Sequence, residues 1–139
     1  MNVDISWWAV IWATVASMVV GLAWFAKGMF GTAWAGMVKL SEKERKAKMP
    51  QAFAVALVTG FIMAYVLAHM VFLAHSYFLN SWLQDSLCTA FWMWVGFSGL
   101  RVLMYDTFEH RRKKLTLINV GNELVTLIIM ALIIGLIQP

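Results

Sequence analysis

Four apolar stretches, each about twenty residues or longer, limit what this chain can fold into. They run over about 5–26, 51–74, 82–105 and 116–137. The first carries no charge. The second is broken only by His69, the third by Asp85 and Arg101, and the fourth by Glu123. In hydrocarbon every backbone N–H and C=O must be satisfied inside its own segment, and a helix of this length does that while spanning about 30 Å. Barrel strands would be shorter and would alternate apolar with polar residues, and no stretch alternates in that way. The expectation is therefore an all-α fold, one membrane domain over 1–139, with four transmembrane helices in a bundle.

Composition agrees. Apolar residues make up 62% of the chain and charged residues 13%, about half the charged share of a soluble domain. Mean hydropathy is +0.74. The first stretch is longer than a signal-peptide core, and no Lys or Arg precedes Asp4, so it reads as a retained helix.

The basic residues are one-sided. Lys27, Lys39, Lys43, Arg45, Lys46 and Lys48 lie between the first and second stretches, and Arg111 to Lys114 lie between the third and fourth, with Arg101 just inside. The segment 75–84 and both tails have none. By the positive-inside rule the basic side is cytoplasmic and both termini are outside. The net charge of +4 is then an orientation signal, and nucleic acid is not an expected partner. The lipid bilayer is the expected one.

The first basic loop has structure of its own. Residues 28–37 are apolar but too short to span, and with Trp24, Phe30 and Trp34 they read as an interfacial segment. Ser41 and Glu44 match a capping box, which predicts a short charged helix. Pro50 is expected to end that helix and to open the second membrane helix.

Small residues recur every fourth position: Ala9, Ala13, Ser17 and Gly21 in the first stretch, and Ala52, Ala56, Gly60, Ala64 and Ala68 in the second. Membrane helices associate through close backbone approach, so these ridges predict packing of the two helices. Use of one ridge between copies, giving a homo-oligomer, is the other reading.

Polar residues at membrane depth are costly and mark candidate sites. Asn119, Asn122, Glu123 and Thr126 fall on one helical face. Arg101 is the expected partner of Glu123, because both lie eleven residues from a turn at residue 112. Such a pair either fixes helix register or forms a polar binding or proton-transfer site. A second cluster, His69, His75, Asp85 and Cys88, lies toward the opposite end, with His75 and Asp85 level. The two histidines are six residues apart and face different ways, so no metal site is expected. Cys88 is the only cysteine, which excludes an internal disulfide and CxxC chemistry. Phosphate-binding glycine loops, HExxH and GxSxG are absent, so neither a cofactor nor catalytic residues are expected.

In order along the chain come Gly21-Leu22-Ala23-Trp24-Phe25, Phe30-Gly31, Trp34, Trp94-Val95-Gly96-Phe97, Phe108-Glu109 with Arg111, and Leu117-Ile118-Asn119-Val120-Gly121. With this ordered set the chain resembles a bacterial membrane family, domain of unknown function 1761. The resemblance covers nearly the whole chain. It implies four membrane helices in the bacterial inner membrane and no known activity. The function expected from sequence is an accessory or structural membrane protein acting through partners or self-association. The alternative is an oligomeric transporter or channel with a polar site around Arg101 and Glu123. No small-molecule substrate is legible.

Overall fold

The computed structural model describes residues 3–39 and 41–137. Its helices are α1 (Trp7–Trp24), α2 (Gly31–Val38), α3 (Glu42–Phe78), α4 (Trp82–Met93), α5 (Leu100–Phe108) and α6 (Lys113–Ile137). A π-helical turn, Trp94–Gly99, joins α4 to α5 in one continuous rod. Four helical segments are long and apolar enough to cross a membrane: α1, α3, the α4–α5 rod and α6. Among the described residues, the number and order of these four long apolar helices match the sequence expectation.

Local signals set the helix ends. The Ser6 and Ser81 hydroxyls cap α1 and α4 by accepting from Ala9 and Gln84 N–H. Ser41 caps α3 with the expected box: its Oγ accepts from Glu44 N–H at 3.2 Å, and Glu44 Oε2 accepts from Ser41 N–H at 3.1 Å. Lys39, Leu79 and His110, all with positive φ, stand at or just past the ends of α2, α3 and α5, where a left-handed residue breaks the helical path.

One boundary is corrected. Pro50 does not separate a short helix from a membrane helix. It lies inside the single 37-residue helix α3, which is about 55 Å long. Proline removes the N–H that would bond the Lys46 carbonyl. Residues 46–52 are exposed, so water can take that carbonyl and the helix runs through.

The spanning segments run up and down. The start of α1, the end of α6 and the turn 79–81 lie at one end. The end of α1, α2, the start of α3 and the turn 109–112 lie at the other, the basic end. α6 packs between α1 and α4, and α3 closes against α1 and α4 from the opposite side. The fully buried core (Val10, Leu67, Val71, Ala90, Met130 and Ile134) sits entirely in the half nearer the termini. Exposed aromatics mark both ends, with Trp7, Trp8 and Tyr77 at one and Phe30, Tyr105 and Phe108 at the other.

Toward the basic end the bundle opens. On α3, Gly60, Ala64 and Ala68 are buried, but Ala52 and Ala56 are exposed. A Cβ on Gly60 would lie 2.8 Å from Ser17 Oγ, whereas one on Gly21 would meet nothing within 4 Å. The small-residue ridges therefore meet where Gly60 faces Ser17, and Ala9, Ala13, Ala64 and Ala68 are buried in the core beyond. Gly21, Ala52 and Ala56 lie past the point where the helices part. α6 is held at this end by two indoles: Trp24 Nε1 donates to Ile118 O at 3.1 Å and Trp94 Nε1 to Val120 O at 3.2 Å. Gly121 allows the first contact, since a Cβ there would be 3.2 Å from the Trp24 ring.

Candidate functional site

The opening holds a cleft of about 510 Å³ lined by Phe25 at the end of α1, Val102, Tyr105 and Asp106 of α5, Glu109 and Arg111 of the turn, and Asn119, Asn122 and Glu123 of α6. Glu109 and Arg111 form its mouth. Glu123 lies ten residues into α6, about 15 Å along the helix axis.

The mouth charges satisfy one another. Asp106 is buried. Its Oδ2 accepts from Thr116 Oγ1 at 2.6 Å, and its Oδ1 is 3.6 Å from Arg111 Nε. Arg111 Nε also donates to Glu109 Oε2 at 2.6 Å, and its backbone N–H donates to Asp106 O at 2.9 Å. One guanidinium thus serves two carboxylates and ties the α5–α6 turn.

The floor is different. Glu123 Oε2 receives only a long bond from Ser98 Oγ, at 3.4 Å. Among the described residues no Lys, Arg or His lies within 4.0 Å of its carboxylate. Beside it, Asn122 Oδ1 is buried without a hydrogen-bond partner.

The expected Arg101–Glu123 pair is therefore not formed. Arg101 is exposed and donates from its guanidinium to Tyr105 Oη at 2.9 Å, with its Cζ 5.5 Å from the Tyr105 ring centroid. The π-helical turn supplies the reason. One extra residue per turn rotates everything beyond it by about 100°. Arg101 is turned away from α6, Val102, Tyr105 and Asp106 line the cleft instead, and Ser98 is the residue that reaches Glu123. Asn119, Asn122 and Glu123 share the cleft as one face of α6, while Thr126 lies a turn beyond it.

Sequence reasoning missed Asp106 and the part that Phe25, Tyr105, Glu109 and Arg111 play in the cleft. Asp106 and Thr116 are equidistant from Arg111, so the hairpin register alone could have paired them.

At the opposite end, His75 Nδ1 lies 2.9 Å from Asp85 Oδ2, and Asn80 Nδ2 donates to Asp85 Oδ1 at 3.0 Å. The His75 ring stacks on Trp82, centroids 3.8 Å apart. Asp85 also sits in the first turn of α4, where the helix dipole favours an anion. This clasp fixes the α3–α4 turn. His69 is elsewhere, its Nδ1 2.9 Å from Tyr65 O in its own helix, and Cys88 is exposed. Among the described residues no three His, Cys, Asp or Glu side chains group as metal ligands.

A family described as protein of unknown function (DUF1761) matches residues 8–135. The chain belongs to this family. Comparison with curated proteins and with solved structures gave no match. The family match contains every residue of the cleft, from Phe25 to Glu123, together with the π-helical turn and both clasps. The segments that carry the DUF1761 resemblance also converge there. Trp24 and Trp94 bond the 118–120 stretch, Trp94–Phe97 begin the π-helical turn, and Phe25, Glu109, Arg111 and Asn119 line the opening.

Proposed function

We propose that this protein is an integral membrane protein of the transporter or channel class, binding a small solute in the cleft between α5 and α6. The carrying observation is the Glu123 carboxylate: it lines an open cleft, and no cation among the described residues pairs with it. A pair serving only helix register would be closed and neutralised, and a carboxylate at membrane depth without that role is by default functional. This favours solute handling over the accessory role expected from sequence.

The one-sided basic residues support a cytoplasmic mouth and external termini. The half nearer the termini is closed by Leu67, Met130 and Ile134, so the described state offers access from the basic end alone. Passage needs a second state, or a second copy that completes the path.

Thiol labelling tests the proposal. In a Cys88→Ser background, Val102→Cys should react with a membrane-impermeant maleimide applied from the basic-loop side and not from the other. Leu103→Cys, on the exposed apolar face of α5, should stay unlabelled. An unreactive Val102→Cys, or one labelled only from the terminal side, would overturn the proposal.

A further inference from the structure

We infer that the solute taken by this cleft is an organic cation, an ammonium compound with an apolar body; the inference rests on the solute-binding reading above. Three carboxylates and one guanidinium line the cleft. That guanidinium is engaged by Asp106 and Glu109, which leaves Glu123 to be neutralised from outside the chain. An anion would meet Glu123 without compensation in a site of low dielectric, which is unfavourable.

The rest of the lining narrows the class. Phe25 and Tyr105 present aromatic rings, and a cation over a ring face gains from the ring quadrupole. The Arg101 guanidinium near the Tyr105 ring already uses that attraction from outside the cleft. A bound metal ion is disfavoured, since the carboxylates are not gathered as ligands among the described residues. A small inorganic cation would also leave the aromatic wall unused. The volume lies in the range of small-molecule sites.

The test uses 2-phenylethylammonium as probe, with 2-phenylethanol and phenylacetate as neutral and anionic counterparts. Binding is measured by calorimetry on the full chain in nanodiscs. The cation should bind saturably and more tightly than either counterpart. Glu123→Gln should weaken it about tenfold or more, the loss expected for a charge-assisted contact. Phe25→Leu should weaken it to a smaller degree, and Lys43→Gln, away from the cleft lining, should leave it unchanged. Thermal melts confirm that each variant is folded. Equal binding of the neutral compound, cation binding unaffected by Glu123→Gln, or no saturable cation binding in the millimolar range would overturn the inference. Preference for phenylacetate, with Val102→Cys still reactive, would sink the cation class while the solute cleft stands. An unreactive Val102→Cys removes the cleft itself.

Discussion

Asp106 and Glu123 are both acids facing one cleft, but their neighbours give them opposite roles. Asp106 is buried and fully served by Thr116 and Arg111. Thr116→Val removes the hydroxyl donor and should cost about 1–3 kcal/mol, read as a loss of stability in detergent. Glu123→Gln breaks no ion pair and should change stability by less than about 1 kcal/mol. A large loss on Glu123→Gln would mean that a cation partner does hold it. A third carboxylate, Glu44, lies outside the long apolar stretches. The Ser41 hydroxyl, then the Ser41 N–H and Lys48, hold its carboxyl below the usual range. The capping box therefore supports the first turn of α3 above the unfolded-state pKa of Glu44, and that support is lost as pH falls through the lowered value. Amide exchange at Lys43 to Arg45 should rise over that acid window more than ordinary exchange chemistry accounts for. Ser41→Ala should raise the Glu44 pKa and abolish the excess. The capping box and the level of His75 with Asp85 were legible because both follow from local spacing. Asp106 was not, since it sits just past the apolar stretch that drew attention to α5.

Among the helices, the π-helical turn Trp94–Gly99 decides the most. Hydrophobic stretches give helix number and level, but they do not reveal one extra residue in a turn. The pairing of Arg101 with Glu123 therefore failed: across the hairpin Asp106 meets Thr116 and Ser98 reaches Glu123. A double-mutant cycle on Arg101→Gln and Glu123→Gln should be additive within about 0.5 kcal/mol; a larger coupling would restore the pair. The ridges carry a similar lesson. A period of four shows where close approach is permitted, whereas the length over which two helices stay together depends on their crossing angle. Gly60→Leu should lower the melting temperature markedly, because its Cβ position already meets Ser17 and overfilling a packed seam is destabilising. Gly21→Leu should leave it nearly unchanged. Equal effects would mean that α1 and α3 stay in contact to the basic end. Pro50 misled for a related reason: a missing N–H ends a helix in an apolar setting, but is tolerated where water reaches the freed carbonyl.

Across the whole chain, the two halves of the bundle are built on different terms. The half near the termini packs small and branched side chains into a closed core. The half at the basic end joins its helices by indole-to-carbonyl bonds and the Asp106 clasp, leaving a polar cleft between them. Fold class and helix order were readable from hydropathy, because bilayer thickness and backbone satisfaction leave few solutions. The cleft was only half readable: the α6 face was visible as a polar stripe, but its walls come from three other segments whose rotation is a tertiary property. Glu123 at the floor of a water-filled cleft, without a counter-charge among the described residues, is tested most directly by electron cryomicroscopy in a lipid nanodisc. Solvent density should run continuously from Glu109 and Arg111 to the Glu123 carboxylate, with no Lys, Arg or His side chain within 4.0 Å of it. A cleft filled by lipid tails or by a second copy, or an Arg101 guanidinium seated on Glu123, would contradict it.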